Sequence, residues 1–142
     1  MPPHVSYAIR DSLVSPDVPP SLGTAFATAD VHAHDLTALN PNPAAPFTGW
    51  VEGIHIRLTN IVGAATKVYV RMCLDPNGDV TLVPDTEAEL AFGITTTDQA
   101  CAALRVGIPI FGALLDTGTV YLFCKLDAGT ADWNNSCITW KA

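Results

Sequence analysis

Positive charge is scarce in this sequence and nowhere clustered: seven Lys and Arg residues are scattered among fourteen Asp and Glu, leaving a net charge of -7. Binding nucleic acid by neutralising phosphates and releasing their counterions needs a basic run or stripe, so no direct nucleic-acid binding is expected. Charge of either sign is also sparse, at 15% of residues against about 25% in an average soluble protein. With 49% apolar residues, the chain has more oily surface than a lone domain of this size hides, which predicts burial against other chains.

Long apolar runs are absent as well. The most apolar window, "ACAALRVGIPIFGALL", is broken by Arg105, Pro109 and two glycines and falls short of the ~18 clean residues that cross a bilayer. The opening "MPPHVSYAIRDSLVSPDVPP" lacks the basic start and apolar centre of a secretory leader. These features predict no membrane partner and a product that stays in the cytoplasm of the cell that makes it. The four cysteines, Cys73, Cys101, Cys124 and Cys137, show no C-x-x-C spacing and no histidine pair beside them, which argues against zinc. They are expected to be reduced packing thiols. Neither a G-x-S-x-G nucleophile turn nor a glycine-rich phosphate loop occurs, so no enzyme activity and no cofactor is expected.

Proline, by contrast, is plentiful and divides the chain. Eight of eleven prolines precede Trp50, in clusters such as "VSPDVPPS" and "NPNPAAP". Proline removes ladder donors and restricts the residue before it, so residues 1–49 are expected to form an extended arm, with at most one short strand or helical turn in "TAFATADVHAHDLTAL". Residues 50–142 are expected to form a single domain, in keeping with a chain of 142 residues.

From Trp50 the hydrophobic period becomes two. In "WVEGIHIRLTN", Ile54, Ile56 and Leu58 share one face; in "TKVYVRMCL", Val68, Val70, Met72 and Leu74 do. "VGAA" between them suggests a hairpin. "DVTLV", "ELAFGIT", "LRVGIPIF", "TVYLFCKL" and "SCITWK" continue the pattern, giving seven short strands and an all-β, antiparallel β-sandwich or jelly roll. Pro109 predicts an edge or a bulge for its strand.

The candidate chemical motifs weaken on inspection. Asp75, Asn77 and Asp79 copy the first half of an EF-hand loop, but its sixth and twelfth positions, which need Gly and Glu, hold Val80 and Thr86. "DPNGD" is expected to be a turn with Asn77 and Gly78 at positive φ. Asp85, Glu87 and Glu89 alternate, so they line one side of an extended strand as a solvated, charge-guarded edge. His32 and His34 in "VHAHD" would put two imidazoles on one side of a strand, as in cupin-type metal sites. Here Asp35 follows directly and no Glu occurs before Glu52; His55 is the remaining candidate, and a polar piece of arm without metal is expected. Tyr121, Phe123, Trp133 and Trp140 suit either a sugar-stacking platform or core and interface anchors, with the anchors favoured. A symmetric hairpin about Ala131 and Asp132 would set Cys124 opposite Cys137 and permit a disulfide if the separation fits.

"LDPNGDVTLVPDTEAELAFGITTTD" together with "VYLFCKLDAGTADWNNSCITWK" resembles small β-sandwich structural proteins of tailed bacteriophages, from about Gly49 to the end. The resemblance implies a virion protein that decorates or cements the capsid exterior, binding the major capsid protein and itself, commonly as a homotrimer. The alternative is a carbohydrate- or receptor-binding module of a head or tail fibre, with Trp133, Asn134 and Asn135 in a tip loop. No catalytic, cofactor-binding or metal residue is assigned.

Overall fold

Alternation becomes strand almost everywhere it was expected. The computed structural model describes residues 9–35, 49–90, 99–110 and 119–141. Nine strands, and no helix among the described residues, run in the order β1 (Ile9–Val14), β2 (Ser21–Leu22), β3 (Val31–Asp35), β4 (Gly49–Val62), β5 (Lys67–Cys73), β6 (Thr81–Glu89), β7 (Gln99–Ile110), β8 (Thr119–Leu126) and β9 (Thr130–Lys141). They form two antiparallel sheets, β1-β9-β4-β7 with β2 also on β9, and β3-β8-β5-β6. Leaving aside two-residue β2, the pairs β1–β9, β3–β8, β4–β7 and β5–β6 nest inside one another. That is one long hairpin rolled up, closed by β4–β9 and β5–β8. The chain is an all-β sandwich of jelly-roll type.

The core lies between the sheets. Ile54, Ile56 and Leu58 of β4 meet Val68, Val70 and Met72 of β5, with Val120, Leu122, Cys124 and Leu126 of β8 and Ile138 and Trp140 of β9. β4 and β5 do not form the expected hairpin. They lie in different sheets, and "VGAA" is a crossing between layers.

The expected arm requires a larger correction. Residues 9–35 supply strands to both sheets: β1 and β2 run along one edge of β9, and β3 lies on β8. The prolines here, Pro16, Pro19 and Pro20, fall in the link between β1 and β2. There a missing N–H costs no ladder bond, and a proline carbonyl still accepts; Pro20 takes a hydrogen bond from the Trp133 amide at 2.9 Å. The rest of the expected arm, residues 1–8 and 36–48, lies outside the described residues. So does most of the expected strand "ELAFGIT".

β7, which carries Pro109, is an edge of its sheet, as expected. β6 is the edge of the other sheet, and Asp85, Glu87 and Glu89 are exposed along it. Asp85 (φ 27°) sits in a bulge where the β5–β6 register shifts. Its carboxylate accepts from Arg71 Nε at 2.9 Å, and Glu87 pairs with Lys67 at 2.6 Å. Bulge, proline and charge together guard this edge against stray pairing.

Candidate functional site

The two histidines of "VHAHD" are not a solvated piece of arm. β3 alternates outward and inward, and both imidazoles point inward: His32 is 1% exposed and His34 0%. Imidazole counts as polar in a sequence pattern, but its ring fills core space once its nitrogens find partners. The partners come from the opposite sheet. His32 Nδ1 and His34 Nε2 each lie 2.7 Å from Ser136 Oγ of β9, and His34 Nδ1 lies 3.1 Å from Ser12 Oγ of β1. The result is a buried chain, His32–Ser136–His34–Ser12, that crosses between the sheets at every step.

Hydrogen count fixes the logic of this chain. Ser136 Oγ has one hydrogen and faces two neutral imidazole nitrogens, so one of those nitrogens carries a proton and the other is bare. Two directions of donation satisfy the rule, each running the length of the chain. Burial lowers the pKa of His32 to about 4, with the Trp133 backbone pulling it partly back up. His34 is also lowered to about 4, by burial first and by the charge of His32 second. Both rings are neutral at pH 7.

Trp133 completes the cluster. Its indole stacks on the His32 ring, centroids 3.5 Å apart and planes 9° from parallel, and it is fully buried. The β9 backbone explains how: opposite β4 the register passes from Arg57↔Asn135 to Leu58↔Trp133, so Asn134 is bulged out. Thr59 Oγ1 donates to Asn134 Oδ1 at 2.8 Å, and Trp133 Nε1 donates to the Asn135 carbonyl at 3.1 Å. "WNN" is therefore a bulge within a strand. Trp133, Asn134 and Asn135 do not form the tip loop in which the fibre-module alternative places them. Phe123 and Trp140 are buried too, and Tyr121 is half-buried, which places the aromatics as anchors.

Other candidates are dispersed. His55 is exposed on the outer face of β4, opposite the inward Ile54 and Ile56, in an open groove with Arg57, Cys101 and Asn135. It is not brought together with His32 and His34. Among the described residues no three His, Cys, Asp or Glu side chains gather as metal ligands. "DPNGD" is a turn, as expected: the Asp75 carboxylate accepts from the amides of Val80 at 2.8 Å and Asp79 at 3.0 Å, which lowers its pKa. Only Gly78 of that turn takes a positive φ; Asn77 does not.

All four thiols are free. Cys73 and Cys124 are buried, as packing thiols should be, while Cys101 is exposed and Cys137 half-buried on the outer face. Because β8 and β9 belong to different sheets, no hairpin sets Cys124 opposite Cys137.

Sequence reasoning missed Ser12 and Ser136. Both are inward residues of strands that face β3, at separations of 22 and 104 residues from their histidine partners, and no local pattern marks them. No protein-family model and no curated protein matches the chain.

Proposed function

We propose that the chain is a structural protein of a tailed-bacteriophage virion, a decoration or cement subunit that binds the outside of the capsid shell as a homo-oligomer, most simply a homotrimer. On this reading it is not an enzyme, and its partners are the major capsid protein and other copies of itself. The observation that carries the proposal is how its chemically versatile side chains are employed. His32, His34, Ser136 and Trp133 lock one sheet to the other, while Asp75, Asp85 and Glu87 hold a turn and guard an edge.

Two further features support it. The jelly roll is a fold that capsid-associated proteins use, though fold alone is an analogy. The low charge is accompanied by large apolar side chains left at the surface, Leu13 at 67% and Val18 at 84% exposed, which suit burial against a neighbouring subunit.

The test is co-sedimentation of the purified chain with undecorated, expanded heads of the phage whose genome encodes it. Saturable binding at a fixed ratio to the major capsid protein is expected, with a trimer by light scattering. Failure to sediment with heads at any concentration would overturn the proposal.

A further inference from the structure

We propose that the His32–Ser136–His34–Ser12 chain is an acid-sensitive latch: it fastens the N-terminal strands β1 and β3 to the sandwich at neutral pH, and protonating the imidazoles releases them. This inference concerns the fold itself and does not depend on the capsid role.

The geometry carries it. An added proton has three places to go. On the bare nitrogen facing Ser136, it leaves the hydroxyl hydrogen of Ser136 between two N–H groups with nothing to accept it. On His32 Nε2, it creates a donor at a buried atom that makes no hydrogen bond. On His34 Nδ1, it forces the Ser12 hydroxyl to turn away. Each choice buries a charge that the Trp133 and Ser12 backbones offset only in part and breaks the matching of donors to acceptors along the chain, which is costly in a buried site.

The surroundings offer little counter-charge on the inward side: the nearest carboxylate, Asp30, reaches the buried Cys124 thiol with its charge, but burial raises its own pKa. On β3 and its approach, Asp35 is exposed and Asp30 is half-buried. On β1, Asp11 is exposed on the side opposite Ser12; on β9, Asp132 and Cys137 alternate outward from the buried Trp133 and Ser136. On β8, the titratable inward neighbour is the buried thiol of Cys124, whose pKa burial pushes well up, and Lys125 is on the outer face beside Phe26. β2 contributes Ser21 and Leu22, neither ionisable.

Topology makes the release local. β1 and β3 each pair with one neighbour, β9 and β8, at the ends of their sheets. Detaching them leaves β4–β7, β5–β6, β4–β9 and β5–β8 intact. Of the other ties of the segment, the Phe26 ring over Arg71 and Lys125 does not titrate in this range; the Asp11 carboxylate, which accepts from Thr139 Oγ1 at 3.1 Å and ties β1 to β9, stays in place when the histidines are replaced, so the variant below separates its part from theirs.

The experiment is hydrogen exchange by mass spectrometry on the full chain between pH 7 and about 4.5, corrected for intrinsic exchange rates. With both folded-state pKa values near 4, the opening constant should rise roughly fiftyfold for each imidazole involved. Protection should fall in β1 and β3 while β4 and β5 keep theirs. Unchanged protection in β1 and β3, or loss in all strands together, would overturn the latch. A folded His32→Gln/His34→Gln variant should lose the acid response, and the same response in that variant would overturn it. If the variant does not fold, NMR titration of the unaltered chain decides. Imidazole signals that titrate only as β1 and β3 open support the latch; titration near 6.5 with both strands still protected contradicts it.

Discussion

Trp133 and His32 lie face to face at 3.5 Å, joining β9 of one sheet to β3, an edge strand of the other. The contact links residues 101 positions apart in sequence, and it explains why an apparently exposed "DWNNS" segment is part of the core.

Trp133→Ala should therefore act on stability. Removing a fully buried indole costs roughly 3–5 kcal/mol, and here it also uncovers the His32 ring. Urea unfolding followed by circular dichroism should show a large drop in midpoint; Trp133→Phe should recover part of the loss by keeping an aromatic face. A wild-type midpoint for the alanine variant would contradict the packing described.

The tips of two crossings touch at Gly63 and Gly129. Gly129 has φ +73°, and a Cβ there would lie 2.1 Å from the Val62 carbonyl oxygen. Left-handed backbone and steric overlap together predict a cost of roughly 2–4 kcal/mol for Gly129→Ala. Gly23→Ala, with nothing within 4 Å, should stay within about 0.5 kcal/mol of wild type. Thermal melts of the two variants side by side check the contrast.

Asp127 ties the same region together. Its carboxylate accepts from the Thr66 amide at 2.9 Å, the Thr66 hydroxyl at 2.6 Å and the Lys67 amide at 3.1 Å. These bonds, the Thr66 hydroxyl first, lower its pKa from 3.8 to about 2. A depressed carboxylate pKa contributes stability above the unfolded value and loses it as pH falls through the folded one. Asp127→Asn should thus cost about 1 kcal/mol at pH 7, allowing for solvent screening at this exposed site. The gap to wild type should close between about pH 4 and pH 2. Denaturation midpoints measured across that range test the sign.

Thiol reactivity should follow depth. Without denaturant, Cys101 should react first with a disulfide reagent and Cys137 more slowly, since burial raises its pKa. Cys73 and Cys124 should react only on unfolding, giving four thiols in all without reductant. A count of two, with Cys124 joined to Cys137 by peptide mapping, would contradict the sheet assignment of β8 and β9.

The fold was legible where one strand carries its own signal. The alternation of Ile54, Ile56 and Leu58, or of Val68, Val70 and Met72, is local, and those residues are buried as the period requires. Pairing was not legible, because "VGAA" has the length of a hairpin loop and yet crosses between sheets. β3 was hidden for a different reason. His32 and His34 read as polar until Ser136 and Ser12, supplied by distant strands, satisfy their nitrogens. The bulge at Asn134 likewise depends on Thr59 of β4, and nothing within "WNN" announces it. The proline-rich start misled because proline bars the centre of a sheet but not its margins, where β1 and β3 lie.

The most direct measurement of the proposed role is cryo-electron microscopy of undecorated expanded heads mixed with a saturating amount of the full chain. The account predicts jelly-roll density repeated at equivalent positions on the outer shell, with several copies in mutual contact. Bare shells at saturation, with the chain folded and monomeric in the surrounding solution, would contradict it.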